Sequence, residues 1–303
     1  MAGLGIQEPL RPVVPVTGPA ISVAPGIARE AARRFFANRL SVVGLVVVVL
    51  IGLAAIFADV LAPFPRDYAV FTETLDPPSA AHPLGTDIIG RDFLTRLLHG
   101  ARTSMLVGLL VPLLSGFIGI PLGALAAWRG GWIDFLFLRL VEIMTAIPSL
   151  IIAVILVTIL GSGLDKLIFY FVLVGWIPEA RLARAQFVAL RPREFVLSAR
   201  ALGASDWRLA TQHILPNAAG PMIVSLVLAI PGAIFSEAGL SVLGLGVRDP
   251  IPSWGKMIAE GAAYVRSVPL LALIPTALIA TTMLAYTFVG DGLRDAIDPG
   301  SKP

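Results

Sequence analysis

The sequence predicts an all-α integral membrane protein with six transmembrane helices and both termini on the cytoplasmic side. Three observations carry this. Hydrophobic residues make up 56% of the 303-residue chain and charged residues only 14%, outside the range of ordinary soluble domains. Apolar runs near the length of a bilayer crossing recur between polar segments rich in Gly and Pro. With six crossings, fifteen Lys and Arg fall on the proposed inner side against eight on the outer, the bias that sets orientation.

Residues 1–28, rich in Pro, Gly, Ala and Val, read as a disordered tail; no basic start leads directly into an apolar core, so this is no signal peptide. Arg29 to Arg39 is basic and amphipathic, suited to the inner membrane surface just before the first span. That span is expected from Leu40 to Leu61 and is ended by Pro63 and Pro65. Phe64 to Gly100 follows as an outer loop holding HPLGTDIIGRD, His82 to Asp92, and it closes a first segment of residues 29–102. Gly85 and Gly90 permit tight turns there, while Asp87, Arg91 and Asp92 can pair or cap. A metal site on His82, Asp87 and Asp92 is disfavoured, because the spacing matches no helical metal pair and no second histidine is near.

A five-helix core is expected over residues 103–290. Its second span, Thr103 to Trp128, contains Pro112 and Pro121, tolerated in membranes as kinks, and Gly116, Gly119 and Gly123, which allow close helix approach. The third, Phe135 to Leu160, carries Glu142 and a kink at Pro148. The fourth is unusual: Leu167 to Ile177 is apolar for eleven residues, about 16 Å as a helix and too short to cross alone. One oblique helix is expected, its inner half with Pro178, Glu179, Arg181 and Arg184 packed on protein or water. The fifth, Gly220 to Gly246, is interrupted at Pro231-Gly232 and carries Glu237; the sixth is Val268 to Val289. Residues 291–303 form a cytoplasmic tail.

Between spans four and five lies a polar loop, residues 191–217, on the proposed cytoplasmic side. Pro192 can open a helix with Glu194 in its positive first turn. Phe195 to Leu202 has no breaker and ends at Gly203, a natural C-cap. Ser205 or Asp206 can cap a second helix that ends before Pro216. A helix, a glycine turn and a second helix bearing Arg200, Asp206 and Arg208 make a surface for another protein to grip.

The small net charge of +3, with scattered basic residues, argues against nucleic acid. With no cysteine there is no disulfide framework, thiolate metal site or thiol nucleophile. No GxxxxGK[ST] loop, nucleophile elbow or zinc helix motif occurs, so the chain is not read as an enzyme. Glu142 and Glu237 are the expensive residues at membrane depth and the candidates for a pathway or bundle-interior role. Arg139, three residues before Glu142, offers it a local ion pair; Glu237 has no such neighbour and can bond an adjacent helix.

The loop resembles the Glu-Ala-Ala loop of ABC-importer permeases. Gly203 and Leu215-Pro216 match its pattern, whereas Leu197-Ser198-Ala199 occupies the three motif positions without the glutamate, leaving Glu194 as the substitute. HPLGTDIIGRD, ARALGAS (Ala199 to Ser205), HILPN, SEAGLSVLGLG, PSWGKM and GDGLRDAIDP are similar to the C-type permease subunit of the dipeptide, oligopeptide and nickel branch. The resemblance implies a type I ABC-importer permease fold in the inner (cytoplasmic) membrane. It also implies a second homologous permease, two ABC ATPase subunits that bind ATP and Mg, and an extracytoplasmic substrate-binding protein. No cofactor and no metal would then reside in this chain. Residues Glu194, Leu197, Ser198, Ala199, Arg200, Gly203, Ala204, Ser205, Asp206, Leu215 and Pro216 would form the ATPase-coupling loop. Di- and oligopeptides are the implied cargo, with nickel or another small solute as the alternative. An ion-coupled secondary transporter would need internal repeats or intramembrane ion sites, and no convincing repeat is present.

Overall fold

The computed structural model describes residues 27–297, and among them every regular element is helical. Helix α1, Ile27–Ala37, is the basic amphipathic segment; it starts inside the region read as a tail, whose residues 1–26 lie outside the described part. Asn38 separates it from α2, Arg39–Ile56, and caps it by accepting from the backbone N–H of Leu40 at 3.0 Å and of Ser41 at 3.4 Å. After Phe57 a short α3, Ala58–Leu61, completes the first apolar run. Arg102 ties off the end of α2, donating to the carbonyls of Ala55 (2.9 Å) and Ile56 (3.0 Å) and pairing with Asp59 (2.8 Å).

Helix α4, Phe93–Arg129, begins ten residues before the expected second span, so the boundary at 102/103 falls inside it. The cause is Asp92, whose Oδ1 accepts from the Thr95 amide at 2.7 Å and nucleates the helix there. Pro112 and Pro121 sit within α4 without ending it. The third span is broken rather than kinked: α5, Gly131–Ala146, and α6, Ser149–Leu160, meet at 79° across Ile147-Pro148. Proline there removes an amide and forces its predecessor out of the helical region.

Helix α7, Leu164–Leu190, runs uninterrupted through Pro178, joining the segment expected as the fourth span to its polar continuation. After the 191–217 loop, α10, Leu215–Val242, passes straight through Pro221 and Pro231, so the interruption expected at Pro231-Gly232 is absent. Pro231 is buried in the bundle, where neighbouring side chains support the turn that lacks its hydrogen bond. A nine-residue helix α11, Trp254–Ala262, occupies the outer segment before α12, Leu270–Ile297, which extends past the expected span end at Val289; residues 298–303 lie outside the described part.

Helices α4, α7 and α10 form the centre, and α12 lies between α2, α10 and α11. Helices α4 and α7 approach closely. A Cβ on Gly119 would stand 2.3 Å from the Trp176 carbonyl oxygen, and one on Gly123 would stand 1.9 Å from that of Ala180. No side chain fits at either place. Helices α5 and α6 lean on this body from one side: Phe137 and Val141 pack on Trp176, Ile177 and Ala180, and Ala153 joins a cluster with Val107 and Phe171.

Candidate functional site

The 191–217 loop leaves α7 at Arg191 and forms α8, Glu194–Ala201, then α9, Asp206–Arg208. Glu194 is exposed in the first turn of α8, and Leu197 and Ser198 are exposed beyond it. The helix ends in a Schellman turn. Gly203 (φ +86°) donates to the Arg200 carbonyl at 3.0 Å, and Ala204 donates to that of Ala199 at 3.1 Å. Ser205 caps the next turn, its hydroxyl accepting from the Arg208 amide at 3.4 Å, with Asp206 exposed beside it.

Leu215-Pro216 does not close this second helix. A π-helical turn, Leu209–Ile214, joins α9 to α10, so Asp206–Val242 is one helical run of 37 residues. Pro216 has no amide to donate, and the wider turn, with the Leu215 N–H reaching the Ala210 carbonyl, accommodates the ring. The loop is therefore the root of a membrane-length rod.

The underside is firmly seated. Val196, Leu209 and Ile214 are fully buried against Ala127 of α4, Ala183 and Phe187 of α7, and Met222 of α10. Burying each such aliphatic side chain contributes about 1.5–3 kcal/mol. Arg191 and Arg200 both stack over the Trp128 ring, at 5.5 and 5.8 Å, which joins the loop to the end of α4. The outer face is different: Leu202 is 89% exposed, Trp207 78% and Leu197 50%. Leu202 and Trp207 were passed over in the sequence, although a tryptophan in so polar a loop was a legible signal. Glu194 and Asp206 make no side-chain ion pair among the described residues.

The two singled-out carboxylates are not brought together. Glu237 is fully buried in α10. It accepts from the hydroxyls of Ser253 at 2.7 Å and Ser241 at 2.8 Å, with that of Ser104 at 3.5 Å. Ser104 in turn accepts from the Trp254 amide at 3.2 Å, and the Trp254 indole donates to the Leu97 carbonyl at 3.1 Å. One carboxylate thus fastens α11 to α4 and α10. Gly255 lets the backbones meet, since a Cβ there would stand 2.4 Å from the Ala238 Cα. Glu142 instead lies exposed on α5, paired with Arg139 at 2.5 Å. A third carboxylate, Glu179 of α7, lies in the inner half of the helix expected to pack on protein or water. It is 3% exposed and accepts from the Ser225 hydroxyl of α10 at 3.1 Å.

At the far end from the loop, the HPLGTDIIGRD segment folds on Gly85 and Gly90, both at φ +79°. Asp87 accepts from the Ile89 and Arg91 amides and pairs with Arg91 (2.6 Å) and Arg96 (3.2 Å). Asp92, besides capping α4, bonds the His82 ring at 2.9 Å, and Arg96 reaches Glu260 of α11 at 3.2 Å. A cleft of about 410 Å³ opens beside Ser241, Asp249, Lys256 and Glu260. Partial burial opposes ionisation of Asp249, but the Lys256 ammonium, 2.7 Å away, holds its carboxyl below the usual range.

Comparison with known proteins resolves what this architecture is. Residues 119–303 match the family model described as binding-protein-dependent transport system inner membrane component. The chain belongs to that family. Residues 27–78 also match the model of the N-terminal TM domain of oligopeptide transport permease C. Oligopeptide transport system permease protein OppC of Bacillus subtilis (strain 168) is 40% identical over 271 residues, 89% of either chain. Dipeptide transport system permease protein DppC of the same organism is 36% identical over 294 residues, 97% of this chain and 91% of the relative. A solved structure titled for inward facing conformations of the MetNI methionine ABC transporter aligns with a TM-score of 0.55. It has 18% identity and covers 67% of this chain and 96% of that one. At that identity the likeness shows the fold, that of a type I ABC-importer permease. The permease is thus an inner membrane component of a transport system. Among its described residues four helical runs are long and apolar enough to cross a membrane, or five with the α5–α6 pair counted as one span. α7 is not among them, because Glu179, Arg181 and Arg184 interrupt its apolar run.

Proposed function

We propose that this permease conducts peptides into the cell through a path shared with a second permease, driven by ATP that partner subunits bind with Mg and hydrolyse. The names of the relatives, oligopeptide and dipeptide transport permeases, support the cargo. The observation that carries the mechanism is the two-faced loop. Its underside is locked to α4, α7 and α10, and its outer side offers Leu202 and Trp207 to a partner. An ATPase subunit gripping that face would turn the α9–α10 rod as a lever, because the rod has no break between handle and span.

With α7 counted as a crossing the spans would number six, putting both termini and the 191–217 loop on one side, and the charge bias supports the cytoplasm as that side. An extracytoplasmic binding protein would deliver cargo at the opposite end. The test is reconstitution with these partners in proteoliposomes. ATP-dependent accumulation of a labelled dipeptide is expected; uptake without ATPase subunits, or of nickel alone, would overturn the reading.

A further inference from the structure

The outward side of α5 combines two features that lipid does not accept. Arg139 and Glu142 are each 57% exposed, about 12 and 16 Å along the helix from the Gly130-Gly131 turn, among Phe135, Leu136, Leu140 and Ile143. A little further on, the backbone breaks at Ile147-Pro148, and residues 145–149 are exposed. Charged groups and open backbone at membrane depth face protein or a water-filled cavity, not hydrocarbon. The opposite side of α5 is already occupied by α4 and α7, through Phe137 and Val141. The pair is also only half used. Arg139 Nη1 donates to Glu142 Oε2, and the guanidinium lies 5.0 Å over the Phe135 ring. Glu142 Oε1 and the other guanidinium N–H groups have no hydrogen-bond partner among the described residues.

We infer that this face of α5 lines the water-filled path and that Arg139 and Glu142 receive the two charged ends of a zwitterionic peptide. The guanidinium fork suits the terminal carboxylate, and the free carboxylate oxygen suits the terminal ammonium. The inference rests on the peptide-permease reading above and adds to it where, and by what, the passing cargo is held. The path is one-sided in this chain; the second permease supplies the facing wall.

The chain has no cysteine, so single cysteines report cleanly. In the complex reconstituted with these partners, Ile143→Cys should react with a membrane-impermeant maleimide, while Val141→Cys, buried on the other side, should not. Arg139→Gln and Glu142→Gln should each lower uptake of a free dipeptide about tenfold, the scale of one charge-assisted hydrogen bond. Uptake of the same dipeptide N-acetylated and C-amidated should be equal in wild type and variants, and the loaded binding protein should still stimulate ATP hydrolysis. Protection of Ile143→Cys from the reagent in every nucleotide state would overturn the inference by showing a face sealed by lipid or by the second permease. Equal loss of both cargoes would overturn it in favour of a structural pair. If the wild-type complex takes up neither dipeptide, the peptide assignment itself fails, and the labelling still decides whether the face is wet.

Discussion

The hydroxyl of Ser253, the N-cap of α11, donates at 2.7 Å to the carboxylate of Glu237 near the C-terminal end of α10. The same hydroxyl accepts from the Lys256 amide at 3.2 Å, so one oxygen both starts a helix and ties it to a spanning helix. Two segments that look unrelated in the chain, SEAGLSVLGLG and PSWGKM, are two sides of one joint. Glu237→Gln is expected to keep the joint, because its amide oxygen still accepts from Ser241 and Ser253. Glu237→Ala leaves three buried hydroxyls without their acceptor and should cost about 2–4 kcal/mol, read as a lower melting temperature of the purified permease. Equal melting of the two variants would refute the joint.

Gly203 holds φ +86° at the end of α8 and has open space where a Cβ would go. Gly203→Ala therefore acts through the backbone alone and should cost about 1 kcal/mol. Gly203→Pro also removes the N–H bonded to Arg200 and should abolish coupling of ATP hydrolysis to transport, as should deletion of residues 198–206, while membrane insertion is preserved. Coupled uptake by Gly203→Pro would contradict this.

Leu202→Asp and Trp207→Asp change side chains that touch little of their own chain. Each should weaken association with the ATPase roughly thirtyfold, the effect of losing about 2 kcal/mol at a central interface residue. Thermal unfolding of the isolated permease should be unaltered. Co-purification from detergent reads the first effect, and a melting curve reads the second.

The α4–α7 contact has no room to spare. Gly123→Leu must push the helices apart, and overpacking of this kind costs about 1–3 kcal/mol or more. Gly232→Leu, where nothing lies within 4 Å of the Cβ position, should be tolerated. Comparable loss of folded protein for both would show that the close approach is not what stabilises the bundle.

Much of this was legible in the residues. The apolar runs located the spans, Gly203 located the turn, and Arg139 three residues before Glu142 predicted the ion pair the structure contains. What stayed hidden depended on partners distant in sequence. Asp92 starts α4 ten residues early because its cap is a local hydrogen bond that hydropathy does not register. Pro216 and Pro231 look like breaks, yet a π-helical turn and close neighbours carry the helix through them, whereas Pro148, exposed and unsupported, bends its helix by 79°. Glu179 was expected in a helix half packed on protein or water, and what the sequence did not name is its partner, Ser225 of α10. The missing motif glutamate at Leu197 leaves an exposed leucine in its place, and Glu194 one turn earlier points to solvent rather than into the loop's own structure.

In the proposed mechanism the 191–217 loop is a rigid handle gripped by an ATPase subunit. Leu202→Cys in the otherwise cysteine-free chain tests it directly, in the assembled complex and with a short bifunctional crosslinker. A crosslink to the ATPase is expected, and in sealed right-side-out vesicles it should form only with a membrane-permeant reagent. Labelling of that cysteine by an impermeant reagent from the outside, or a crosslink to the substrate-binding protein, would contradict it.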